Sequence, residues 1–278
     1  MSKSEQESKE RSFLVVKDTQ LITKSRYSLT LQQQKILLYF ISRIKPDDED
    51  NTMYELSIKD FAKICGYVED SGFYYQTIKA DIKELHDKSS WIEMENGKEV
   101  LFSWIDRAEI DKGKGTIRVS FHYTVAPYLF ELRERYTKYS LSNILCLTHK
   151  YSIRLYEYLC AVRYKGDFKI SVDELKKRLD AETYVKYSHF KDRVLNPSVY
   201  DIVQYTDMNI SYETEKTGKA VTHIIFKFNE KSDYDNLMTD IAKENHINPD
   251  KRKKGKELDN KLKEKRKNTN KESKKVGG

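Results

Sequence analysis

Seven side chains able to hydrogen-bond the edge of a nucleic-acid base fall within eleven positions: Lys186, Ser188, His189, Lys191, Asp192, Arg193 and Asn196. Arg and Lys donate to guanine, Asn matches the paired donor and acceptor of adenine, and Asp accepts from the amino group of cytosine. Interleaved with them, Tyr187, Phe190 and Val194 recur at helical spacing. That pattern predicts a helix whose apolar side packs inward and leaves most of the polar side chains on other faces. A solvated face of an ordinary surface helix has the same composition. The chemistry therefore depends on whether the neighbouring elements present this helix to DNA.

A second set of cations sits on expected turns. Lys216 and Lys219 flank Gly218, and Lys112 and Lys114 interleave with Gly113 and Gly115, with Arg118 close behind. Basic groups on a Gly-containing tip suit contact with phosphates, which positions a protein on a duplex without reading its sequence. Hairpin turns with no ligand use the same residues. A third set, Gln76, Thr77, Lys79 and Lys83, shares an expected helix with Tyr75, Ile78, Ile82 and Leu85, and is less basic than the 186–196 segment.

The elements around the first set have a defined order. Ile153, Tyr156, Leu159 and Cys160 mark a helix, and Ser171-Val172-Asp173-Glu174 is a capping box opening a second, with Leu175 and Leu179 inside. The 186–196 helix is third. Met208, Ile210 and Tyr212, then Ile224, Phe226 and Phe228, alternate with polar neighbours as two strands around Gly218. Three helices followed by a hairpin "wing" is the order of a winged helix-turn-helix, in which the third helix enters the major groove. At Asn196-Pro197 the proline suits the first turn of a new helix capped by Asn196. A kink in one continuous helix is the other option.

The first half repeats that order. A strand and polar turn in FLVVKDTQLI precede a helix through Leu31, Ile36, Leu37, Phe40, Ile41 and Ile44. Ser57-Ile58-Lys59-Asp60 then caps a second helix, Tyr75 to Leu85 form a third, and VLFSWIDRAEI and GTIRVSFHY read as two strands. Leu29-Thr30 pairs with Leu147-Thr148, Ser57 to Phe61 with Ser171 to Leu175, and Tyr75, Ile78 and Ile82 with Tyr187, Phe190 and Val194. Three pairings in register imply two copies of one unit. The expected fold class is α+β, with two tandem winged helix-turn-helix domains. Residues 1–11 read as a disordered N-terminus, 12–126 as the first domain, 127–146 as a helical connector and 147–230 as the second domain. Residues 231–278 read as a possible short helix and then a disordered basic tail.

Charge separates body from tail. The chain of 278 residues has 51 Lys+Arg and 44 Asp+Glu. Residues 251–278 hold 13 basic and 4 acidic residues, which leaves 38 and 40 in the rest, so any nucleic-acid footprint must be a local patch. Cys65, Cys146 and Cys160 sit among apolar residues and read as reduced, packed thiols of a cytosolic protein. No apolar run nears the roughly 18 residues of a membrane span, and no signal peptide opens the chain. Tyr156, Tyr158, Tyr164, Trp91 and Trp104 read as core by their spacing and apolar neighbours, although tyrosines can also stack on single strands. No GxxxxGK[ST] loop occurs, no two of the six His form a His-x-His pair, and HExxH and GxSxG are absent. The expectation is a protein without catalysis, metal or cofactor.

The runs KYSIRLYEYL, ISVDELKKRL, FKDRVLNPSVYDI and TDMNISYETEKTGKAVTHIIF resemble the C-terminal winged helix of the iteron-binding plasmid replication initiators. VVKDTQLI followed by LTLQQQKILLYFISRI resembles the start of their first domain. The resemblance implies sequence-specific binding to double-stranded DNA at the repeats of a plasmid origin, initiation of theta-type replication in the bacterial cytoplasm, and repression of the chain's own promoter. It also implies a homodimer in equilibrium with monomer, with the host replication initiator and helicase as partners. A transcriptional regulator with two winged helices, a rolling-circle nicking enzyme and a protein-interaction module are the alternatives.

Overall fold

A computed structural model of the chain describes residues 13–45, 47–65, 71–93, 97–130, 132, 135–232, 235, 236, 239, 240 and 243. The expected disordered N-terminus and basic tail lie outside the described residues. Of the short helix expected after 231, Asp235, Asn236, Thr239, Asp240 and Lys243 are described, and all are helical.

The first half runs β1 (Leu14–Asp18), α1 (Thr19–Lys24), β2 (Ser25–Arg26), α2 (Leu31–Ile41), β3 (Tyr54–Ser57), α3 (Ile58–Ile64) and α4 (Ser71–Asp87). It continues with β4 (Ser89–Glu93), β5 (Glu99–Ser103), β6 (Ile105–Asp111) and β7 (Thr116–Phe121). Then follow β8 (Tyr136–Ser140), α5 (Leu141–Cys146), α6 (Lys150–Val162), β9 (Phe168–Ser171) and α7 (Val172–Leu179). The last helix, α8, is one rod in three parts: an α turn Tyr187–Phe190, a π turn Lys191–Leu195 and an α segment Asn196–Tyr205. The hairpin β10 (Asn209–Thr217) and β11 (Ala220–Asn229) closes the second half.

The duplication is visible in strand order. In the first half β3 pairs with β7, which pairs with β6; in the second, β9 pairs with β11, which pairs with β10. Each short strand thus joins the second strand of its hairpin, antiparallel, with Tyr54 opposite Val119 and Ser171 opposite His223. The second helices begin alike. Ser57 Oγ accepts from the Asp60 N–H at 3.3 Å, and Ser171 Oγ accepts from the Glu174 N–H at 3.1 Å. The Glu174 carboxylate pairs with Arg178 one turn on.

Five expectations need correction. The polar turn after β1 is the helix α1, because Asp18 caps it (Oδ1 accepts from the Gln20 N–H at 2.6 Å) and Leu21 and Ile22 are buried. The strand expected through VLFSWIDRAEI breaks at the fully buried Trp104: β5 pairs with β4 in a separate sheet, and only β6 joins the wing. The connector 127–146 is helical only in part, at α5 (Leu141–Cys146). Its centre is β8, with Thr137 and Tyr139 buried and Tyr136 and Lys138 exposed, paired along its length with β1. Asn196 does not cap a new helix; its φ of −60° and ψ of −49° continue α8 through Pro197. Finally, Trp91 and Tyr164 are not core, being 51% and 78% exposed, whereas Trp104, Tyr156 and Tyr158 are buried.

One apolar core runs through both halves. The polar contacts between them are buried as well. Lys35 on α2 donates to the Leu145 carbonyl at 2.7 Å, and Gln34 donates to the Lys150 carbonyl at 3.1 Å. Arg154 on α6 reaches the Ser25 carbonyl at 3.2 Å and the Tyr27 hydroxyl at 2.5 Å, with its guanidinium 4.0 Å from the Tyr27 ring centre. Glu157, one turn on, forms an ion pair with Lys17 on β1 and accepts from the Tyr139 hydroxyl on β8. Among the described residues no helix is long and apolar enough to cross a membrane.

Candidate nucleic-acid interface

Helix α8 is anchored from behind. Phe190, Val194, Leu195 and Ile202 are fully buried, and each such side chain contributes about 1.5–3 kcal/mol by leaving water. The segment leading into it is held by Lys176, whose ammonium donates to the Val185 carbonyl at 3.1 Å and lies 5.7 Å from the Phe190 ring centre. On the opposite side Lys186, Ser188, His189, Lys191, Asp192 and Arg193 are all exposed. Among the described residues none of these six side chains has a hydrogen-bond or ion-pair partner within the chain. A row of exposed donors and acceptors along a helix anchored by its buried face, unspent among the described residues, is what base reading requires.

The π turn lies beneath this row. Pro197 has no N–H, so the carbonyl four residues earlier loses its helical donor, and the helix accommodates one extra residue there. Asn196 is exposed but engaged, since its Oδ1 accepts from the Tyr212 hydroxyl at 2.5 Å.

The wing projects beyond the sheet. Residues 213–220 are exposed throughout, and Gly218 takes the tip at φ 61°, a conformation that favours glycine. Lys169 on β9 donates to both Glu215 oxygens at 2.8 Å and holds that carboxyl below its ordinary range. With Glu215 so neutralised, Lys216 and Lys219 dominate the charge of the tip.

The first half differs. Gln76, Lys79 and Lys83 are exposed on α4 and Thr77 is half-buried, but the Lys83 ammonium is paired with Asp87. In its wing, Lys112 and Lys114 are exposed, Lys114 lies 3.8 Å from Asp111, and Arg118 lies 3.6 Å from Glu109. More of its cations are spent internally than on α8. The residue types singled out from the sequence also miss Val185, 85% exposed beside the start of α8. An apolar group there has the chemistry to meet a thymine methyl; its exposure, against its hydrophobic type, is visible only in the fold.

Residues 14–160 match the family described as Initiator Replication protein, WH1, and residues 171–228 match Initiator Rep protein, WH2. The chain belongs to the Rep3 family of plasmid replication initiators. Members of this family are winged-helix, DNA-binding proteins and generally non-catalytic. A replication initiation protein of Escherichia coli is 27% identical over 228 residues, covering 77% of this chain and 69% of that one. The PI protein of Escherichia coli is 30% identical over 134 residues, 41% of this chain and 44% of its own length. Among solved structures, domains 2 and 3 of RctB give a TM-score of 0.45 at 11% identity, over 74% of this chain and 85% of that one. That last likeness is too loose to carry any argument.

Proposed function

We propose that this Rep3 initiator binds repeated sites in a plasmid origin through α8 and both wings, and acts by binding energy with no catalytic step. Lys186, Ser188, His189, Lys191, Asp192 and Arg193 read base edges in a major groove, with Asn196 held by Tyr212 at the end of the row. Lys216 and Lys219 clamp phosphates. Gln76, Thr77, Lys79 and Lys83 on α4, with Lys112 and Lys114, make a weaker second contact about one helical turn, 10–10.5 bp, away. The observation that carries this reading is the set of six exposed polar side chains, Lys186 at the N-cap of α8 and five on the helix, with no hydrogen-bond or ion-pair partner among the described residues. Several protomers on adjacent repeats bend the duplex and favour opening of a neighbouring A·T-rich segment.

The same reading includes repression of the chain's own promoter, recruitment of the host initiator and helicase in the bacterial cytoplasm, and a monomer–dimer equilibrium. Support for the dimer comes from β5, an edge strand of the β2-β4-β5 sheet with no further strand paired to it among the described residues. Trp91 and Leu101 face each other across β4 and β5 and are 51% and 46% exposed. An apolar pair beside an unpaired edge strand favours association with another strand.

Footprinting on the DNA surrounding the chain's own gene tests the proposal. Repeated protected blocks are the expected result. One isolated block would instead mark a simple regulator, and a nicked product from supercoiled DNA with magnesium would overturn the non-catalytic mechanism.

A further inference from the structure

A cleft of about 910 Å³ opens between the two halves, and none of the residues assigned above to DNA lines it. One wall comes from α1 and β8, the other from the end of α6 and the turn Arg163–Lys165 that follows it. Each wall presents an exposed tyrosine between cations: Arg135-Tyr136-Thr137-Lys138 on one, Arg163-Tyr164-Lys165 on the other. Tyr136 is 46% exposed and Tyr164 is 78% exposed. Lys24, in the last turn of α1, adds a further ammonium.

Little negative charge offsets this. The one carboxylate among the lining residues, Glu174, is paired with Arg178. Asp18 lies close enough to Arg135 to feel its charge, and Asp207 lies 3.8 Å from Arg163. Among the described residues Lys24 and Lys138 have no carboxylate against them. Residues 1–250 carry slightly more acidic than basic groups, so this concentration of cations is local and does not follow from net charge.

Aromatic faces set beside ammonium and guanidinium groups in a concavity take a planar base and its phosphates. The volume falls within the roughly 300–1,000 Å³ of small-molecule sites. We propose that the cleft binds a nucleoside polyphosphate, with the base on Tyr164 and the phosphates on Lys24 and Lys138. The chain has no GxxxxGK[ST] loop, so the nucleotide acts as a bound effector and is not hydrolysed by that route. Because each wall belongs to a different half, occupancy bridges the two DNA-binding units. A single strand of DNA shares this chemistry, but two exposed rings, one on each wall, suit one nucleotide better than a run of stacked bases.

The test titrates the full-length protein with methylanthraniloyl-ATP and follows its fluorescence, with unlabelled ATP, inorganic tripolyphosphate and ten-nucleotide oligothymidylate as competitors. ATP is expected to displace the probe at lower concentration than either other competitor. Lys24→Ala with Lys138→Ala weakens binding about tenfold, the scale of lost charge-assisted contacts. Tyr164→Ala abolishes the advantage of ATP over tripolyphosphate. Lys138 and Tyr164 are exposed and Lys24 is half-buried, and both variants should melt and bind origin duplex as the unaltered protein does. Unchanged probe affinity in both variants overturns the site. Equal displacement by tripolyphosphate overturns base recognition, and stronger displacement by the oligonucleotide makes the cleft a single-strand site.

Discussion

The Tyr212 hydroxyl on β10 donates to Asn196 Oδ1 on α8 at 2.5 Å. This bond ties the wing to the helix at the residue that follows the π turn, so the two surfaces offered to DNA share one support. Burial, with smaller effects from Tyr187 and Asp192, pushes the Tyr212 phenol up to about 12. A phenol whose folded value is raised stabilises the fold fully below its ordinary value near 10 and loses that contribution as pH rises towards about 12. Tyr212→Phe should cost about 0.5–1.5 kcal/mol at neutral pH, the usual net worth of one hydrogen bond. It should also narrow the fall in stability between pH 10 and 12. Denaturant midpoints at pH 7 and pH 11 check both; an equal pH dependence in the two proteins would show that this phenol is not linked to folding.

Arg193 is exposed, has no hydrogen-bond or ion-pair partner among the described residues and stands in the π turn of α8. Arg193→Ala should relax base preference at one or two positions of the site, by about 1–3 kcal/mol against the correct base. Selection from a randomised duplex library measures this. Equal weakening on all sequences would place Arg193 on phosphate instead.

Lys17 and Glu157 are both fully buried and joined across the two halves. Glu157→Gln leaves the Lys17 ammonium without its counter-charge, and loss of one partner of a buried pair costs about 3–5 kcal/mol. The double change Lys17→Met with Glu157→Leu should recover most of that loss. Thermal and denaturant unfolding of the two variants tests it, and a double variant no more stable than Glu157→Gln would mean that the pair is not the source.

Trp91 faces Leu101 on the exposed side of β4 and β5. Placing a charge at such an edge opposes strand addition. Leu101→Glu, on the edge strand β5, should shift the protein to monomer in sedimentation or light scattering and leave its melting temperature within a few degrees. An unchanged dimer would locate the contact elsewhere.

The local signals read well where local physics decides. The 3.6-residue apolar spacing of α2, α4, α6 and α8, the Ser57 and Ser171 caps and the glycine at the tip of the second wing all depend on neighbours a few residues away. The row from Lys186 to Arg193 was legible for the same reason: its polar side is the complement of Phe190 and Val194. Residue type alone did not reveal that Val185 is exposed or that Asn196 is engaged by Tyr212, since both depend on the partner that packs against them.

The sequence by itself determined a duplicated order of helices and hairpins, the chemistry on the third helix of each copy, and a near-neutral body with a basic tail. Only the tertiary structure decided that 136–140 is a strand, because its partner Leu14–Asp18 lies more than a hundred residues earlier. It likewise decided the break at Trp104 and the burial of Lys17 against Glu157. In each case the free energy comes from a contact distant in sequence, and such a contact leaves no periodicity behind in the residues that make it.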